Sequence, residues 1–168
     1  MNPLHANFVE LSERHLCRHS QLWLNVNHLI AVLGTYFALV GIVIFIGSWW
    51  FLAGIIGIYL CVLVGNLPLR VLAATAVVLA AIVGLFAVIP PLPVWANPLL
   101  IALYYWFQQL GHKTYTDATD LTEFNWKYPK GFALFILLAI YELPILLNYL
   151  LFGPKAKEPV NEYQVSAA

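Results

Sequence analysis

Residues 24–46 read LNVNHLIAVLGTYFALVGIVIFI, a stretch without a charged side chain and long enough to cross a bilayer, which takes about 20 apolar residues. Asn25, Asn27 and His28 interrupt it near its start. That stretch decides the fold class, because the rest of the chain repeats its character. Further apolar runs occupy about 50–65, 70–89, 97–112 and 131–152. Gly47-Ser48-Trp49-Trp50 reads as an interfacial turn, Asn66, Pro68 and Arg70 as the next, and Pro90, Pro91 and Pro93 end the third run. The expected fold is therefore all-α, a polytopic membrane bundle of about five spans. It forms one domain over 1–153, with a polar, disordered tail over 154–168.

Composition agrees. Of 168 residues, 62% are hydrophobic and only 10% charged, with a mean hydropathy of +0.81, so lipid must be part of the solvent. The eight Lys and Arg residues balance eight Asp and Glu and form no basic stripe, which excludes nucleic acid as a partner. Cys17 and Cys61 lie in different settings and indicate neither a disulfide framework nor a redox pair. The N-terminal region lacks the pattern of a cleaved signal, so the first span is expected to insert uncleaved.

Upstream of the first span, residues 6–19 place Phe8, Leu11, His15 and Leu16 on one helical face, with Glu10, Glu13, Arg14 and Arg18 elsewhere. This predicts a short amphipathic helix on the membrane surface, with Ser20 as N-cap of the span that follows. Between the last two spans, Asp120 and Glu123 have the spacing of a capping box and start a second surface helix. Pro144 is expected to kink the last span. With five spans, Arg14, Arg18, Arg70, Lys113, Lys127 and Lys130 share one side against Lys155 and Lys157, which makes the N-terminus cytoplasmic.

Under that topology His15, His19, His28 and His112 converge on one membrane face. Neutral imidazoles are the commonest side-chain metal ligands, so these four are the candidate metal ligands. His15 and His19 share a helix face at i, i+4; bringing His28 in requires a chain break near Ser20. On the fourth span Tyr105, Gln108 and His112 form a stripe flanked by Gln109, and Gln108 is placed to orient a ligating imidazole. Glu142 is the one carboxylate within an apolar span, about 16 Å from the cytoplasmic side at helical rise and thus deeper than the histidines. Its expected roles are partner to a ligand, proton acceptor or protonated structural acid. Asp117 and Asp120 are shallower carboxylates beside His112.

The segment Phe107-Gln108-Gln109-Leu110-Gly111-His112-Lys113-Thr114-Tyr115 resembles the FQFxGHxxFE signature of membrane 2-hydroxy fatty acid dioxygenases. The nine-residue spacing of His19 and His28, at the start of the first span, and Ile140-Tyr141-Glu142-Leu143 in the last, are similar to that family as well. The chain departs from the family pattern at Leu24, Ala31, Leu33 and Thr116. The resemblance implies an Fe(II)-dependent enzyme that uses O2 to remove one carbon from a 2-hydroxy fatty acid in the bacterial inner membrane or endoplasmic reticulum. Its site would comprise metal ligands His15, His19, His28 and His112, with Glu142 and Gln108 in catalysis. Arg18, Lys113 and Tyr105 would meet a lipid or fatty-acid substrate. Two alternatives remain at this level: a haem-binding electron carrier with His28 and His112 as axial ligands, and a non-enzymatic lipid-binding or assembly protein.

Overall fold

The computed structural model describes residues 6–19, 21–115 and 131–153, apart from the side chains of Cys17 and Arg18. Six helices and no strand occur among the described residues: α1 (Phe8–Arg18), α2 (Leu22–Ile46), α3 (Trp49–Val64), α4 (Leu69–Leu85), α5 (Ala96–Thr114) and α6 (Phe132–Leu147). A π-helical turn, Asn148–Phe152, extends α6. Among the described residues two helices are long and apolar enough to cross a membrane, α2 and α6 with its extension, while α3 and α4 are apolar but shorter. The capping box at Asp120, Lys127, Lys130, the carboxylates Asp117 and Asp120, and the tail from 154 lie outside the described residues.

Local chemistry sets the helix ends. Asn7 caps α1 by accepting from the Glu10 amide at 3.2 Å, and Ser48 caps α3 by accepting from Phe51 at 3.3 Å. α4 stops at Leu85 rather than at the expected 89. Pro90 and Pro91 carry no N–H for the carbonyls four residues earlier, so residues 86–88 tighten into bonds of i→i−3 type at 3.0–3.1 Å. Ser20, expected to cap α2, is outside the described residues. Gln21 holds the cap position, and its side chain makes no capping bond.

α2 and α5 pack antiparallel along a seam with a seven-residue register. Three close approaches mark it: Asn27 against Gly111, Tyr104 against Gly34, and Asn97 against Gly41. Each step of seven residues down α2 meets a step of seven up α5, the repeat expected of helices that stay in contact over two turns. A Cβ at Gly34 would overlap the Tyr104 ring, and one at Gly111 would overlap the Asn27 amide, so a larger residue at either displaces a side chain of the seam.

α6 packs against α2 and α4. Pro144 leaves the Ile140 carbonyl without its helical donor, and Tyr59 of α3 supplies one at 2.9 Å. Tyr36 of α2 donates to the neighbouring Ala139 carbonyl at 3.1 Å, and the two hydroxyls are 3.3 Å apart. The helix thus continues through the proline with its freed backbone capped from two other helices.

α1 sits over the end of the bundle. Phe8 and Leu11 join Leu63, Leu67, Val71, Leu134, Leu137 and Tyr141 in one buried cluster, and the Ala6 amide donates to Asn66 Oδ1 in the α3–α4 turn at 3.0 Å. Its apolar side therefore meets protein, a correction to the helix expected to lie on headgroups. Arg14, read as lying off that apolar face, is 4% exposed. Among the described residues the core is mostly aliphatic with a few polar side chains set in it, and large apolar side chains are exposed as well. Trp50, Leu69, Val88 and Phe132 are largely exposed, whereas Asn25, His28, Thr75 and Asn97 are fully or nearly fully buried.

Candidate metal centre

His19, just past the end of α1, His28 on α2 and His112 on α5 each offer a ring nitrogen, and these three atoms lie within 4.8 Å of one another. Ring centroids are 4.5 Å apart for His19 and His28, 4.7 Å for His28 and His112, and 5.0 Å for His19 and His112. His112 reaches the other two from a distant part of the chain because the α2–α5 seam brings Gly111 against Asn27, one residue from each of two ligands.

Hydrogen bonding fixes which nitrogen of each buried imidazole is available. His19 Nδ1 faces the His15 carbonyl at 3.1 Å, an acceptor only, so Nδ1 carries the proton and Nε2 the lone pair. His28 Nδ1, Gln108 Nε2 and Glu142 Oε1 form a triangle with sides of 2.8, 2.9 and 3.1 Å. The carboxylate oxygen is the acceptor in that triangle, so the His28 N–H and the Gln108 amide both donate to it. The Nε2 atoms of His19 and His28 are buried and have no hydrogen-bond partner. A buried imidazole lone pair left unsatisfied is costly, and a cation shared with His112 satisfies both at once. The carboxylate–histidine pairing of Glu142 and His28 is the usual means of fixing a ligating imidazole and raising its basicity. The residues present thus fit a metal ion.

His15 stands beside this group rather than in it. Its Nε2 donates to Asn25 Oδ1 at 2.9 Å, and its ring stacks on His19 at 4.3 Å and 10°. Asn25, fully buried, spends its amide hydrogens on the carbonyls of His19 at 2.6 Å and Gln21 at 2.9 Å. That clamp ties the end of α1 to the first turn of α2, so that His19 and His28 meet at the same centre; Ser20, where the break was expected, lies outside the described residues. Burial lowers the His15 pKa to about 4, partly offset by the Asn25 bond, and lowers that of His19 to about 2 with further effect from neighbouring imidazoles. Both are neutral in the fold, the state a ligand requires.

The centre stands at the head of a cavity of about 560 Å³ lined by α1, α2, α5 and α6 with Tyr59 of α3. Gln108, Glu142 and Tyr105 line it, Tyr105 at an exposed edge. Gln109 lines it too. Lys113 is exposed and not among the lining residues, and the Arg18 side chain lies outside the described residues. Arg14 lines the cavity in their place. Glu142 is level with His28 rather than deeper, since α6 presents it directly to the Nδ1 side.

Sequence reasoning missed Asn25 as the clamp and Arg14 as a cavity residue. Asn25 did carry a signal, a polar amide inside an apolar run. Arg14 carried a weaker one, its place three residues after Leu11 at the edge of the apolar face of α1. Compared with known proteins, the chain matches no family model, no curated protein and no solved structure.

Proposed function

We propose that the chain is an iron-dependent oxygenase of five membrane spans, with a cytoplasmic N-terminus, acting on 2-hydroxy fatty acids and shortening them by one carbon. The observation that carries this reading is the pair of buried, unpartnered Nε2 atoms on His19 and His28, facing His112 at the head of an apolar cavity. Large apolar side chains exposed on each of the five long helices, Phe45, Trp50, Leu69, Trp106 and Phe132 among them, support lipid as their solvent. The bacterial inner membrane or the endoplasmic reticulum is the proposed location.

His19, His28 and His112 would hold the ion. Three imidazoles would leave coordination positions open, and bound iron would supply redox chemistry and a seat for a hydroxy-carboxylate chelate. Glu142 keeps the His28 Nδ1 proton in place, and Gln108 keeps Glu142 in place. α1 closes the site from the aqueous side, with His15 stacked on His19 so that the ligand does not swing out. The haem alternative requires a porphyrin plane between His28 and His112, whose ring centroids at 4.7 Å leave no space for it.

Metal analysis of protein purified anaerobically, wild type beside His28→Ala and His112→Ala, tests the reading. Close to one iron per chain is expected in wild type and almost none in either variant, with O2-dependent shortening of 2-hydroxy fatty acids by wild type alone. Wild type that binds no transition metal sinks the oxygenase and leaves a lipid-binding protein.

A further inference from the structure

Glu142 stands in a turn of α6 that the helix cannot close by itself. It lies two residues after Ile140 and two before Pro144, and the missing N–H at Pro144 leaves the Ile140 carbonyl without a donor from its own helix. A turn opened in this way is a soft point, where helices kink by more than about 20°. The carboxylate at its centre tolerates little of that. A helix with its side chains is about 5–6 Å in radius, so rotating the turn by ~10° carries a side-chain tip about 1 Å. Glu142 Oε1 is 3.1 Å from His28 Nδ1, and a separation about 1 Å larger is no longer a hydrogen bond.

Two phenols hold this turn. Tyr59 of α3 donates to the Ile140 carbonyl at 2.9 Å, and Tyr36 of α2 donates to the Ala139 carbonyl at 3.1 Å. A tyrosine has one proton to give, and both are spent on the backbone of α6. The two rings line the cavity together with His28 and Glu142. Tyr36 follows His28 by eight residues on the same helix, so α2 carries the ligand and also holds the turn that bears its carboxylate partner.

We propose that Tyr36 and Tyr59 are positioning residues of the metal centre: by fixing the open turn of α6 they keep the Glu142 carboxylate on the His28 Nδ1 proton. The His28 Nε2 lone pair then stays aimed at the ion, and the imidazole keeps the basicity that a carboxylate partner confers. This rests on the reading of the three histidines as a metal centre and is independent of the reaction that the ion serves.

The test is titration of cobalt(II) into full-length, metal-free protein in detergent without oxygen, followed by visible absorption. Tyr36→Phe, Tyr59→Phe and the two together keep both rings and remove only the hydroxyls. Each single substitution is expected to weaken cobalt binding about threefold and the pair about tenfold, the lower end of what loss of a ligand's outer partner costs. A Glu142→Ala background separates positioning from stability. There the same hydroxyl losses are expected to change affinity by less than about twofold, because the group they position is gone, while still lowering the melting temperature. Equal losses of affinity in both backgrounds overturn the proposal, and so does unchanged affinity in the pair. If the pair does not fold, the single substitutions decide through the same cycle. Wild type that binds no cobalt overturns the metal centre and this assignment together; wild type that binds it whether or not the hydroxyls are present overturns the assignment alone.

Discussion

The α2–α5 seam and the outer face of α3 are built from the same alphabet, glycine among Leu, Ile, Val and aromatics, yet glycine means opposite things in them. At Gly34 and Gly111 a Cβ would collide with Tyr104 and Asn27, whereas at Gly54 and Gly57 nothing lies within 4 Å. α2 buries residues along most of its length, and α3 buries only Leu52 and Leu63 among its described residues. In lipid there is no hydrophobic gain from pressing one apolar helix on another, so association depends on close approach and on polar contacts. The seam has both, and the three histidines that could hold a metal sit at the end of it.

Breaking the seam should have the largest effect. Gly34→Leu forces α2 and α5 apart and is expected to cost about 3 kcal/mol or more, with loss of metal binding, in thermal or denaturant unfolding of detergent-solubilised protein. A variant as stable as wild type would show that the seven-residue register does not hold the helices.

Next comes the corner that the seam supports. Asn25→Leu removes three hydrogen bonds and leaves the carbonyls of His19 and Gln21 without that donor, an expected cost of about 2–3 kcal/mol together with weakened metal affinity. A loss of stability with unchanged metal affinity would separate the clamp from the centre.

Acid attacks the same corner. His15 and His19 are neutral in the fold because their pKa values lie below 6.5, while the unfolded chain takes up protons as pH falls through 6.5. Metal-free protein is therefore at full stability above pH 6.5 and loses it progressively towards pH 4 and below. A melting temperature flat from pH 7 to pH 4 would contradict the burial of these rings.

Smaller effects belong to α3. Tyr59→Phe deletes the bond to the Ile140 carbonyl and should cost about 1 kcal/mol, measured in the same unfolding assay, because that carbonyl has no other helical donor. Gly57→Ala, facing open space, should change stability by less than about 0.5 kcal/mol. A large loss at Gly57 would mean that the outer face of α3 is covered by another chain.

The sequence by itself determined the all-α class and the helix boundaries to within a few residues, since apolar runs, tryptophans and prolines act over a few neighbours and need no partner. It also picked out His19, His28, His112, Gln108 and Glu142, because polar side chains are conspicuous in an apolar run. It placed His15 among the ligands and Arg14 off the apolar face because periodicity along one helix records only that helix. Whether a ring nitrogen faces a carbonyl, an amide or its neighbour's lone pair depends on α1, α2, α5 and α6 meeting at one point. Only the tertiary structure decided that: the glycine register of α2 on α5 set the depth of the ligands, and Asn25 set the angle at which α1 brought His19 to them.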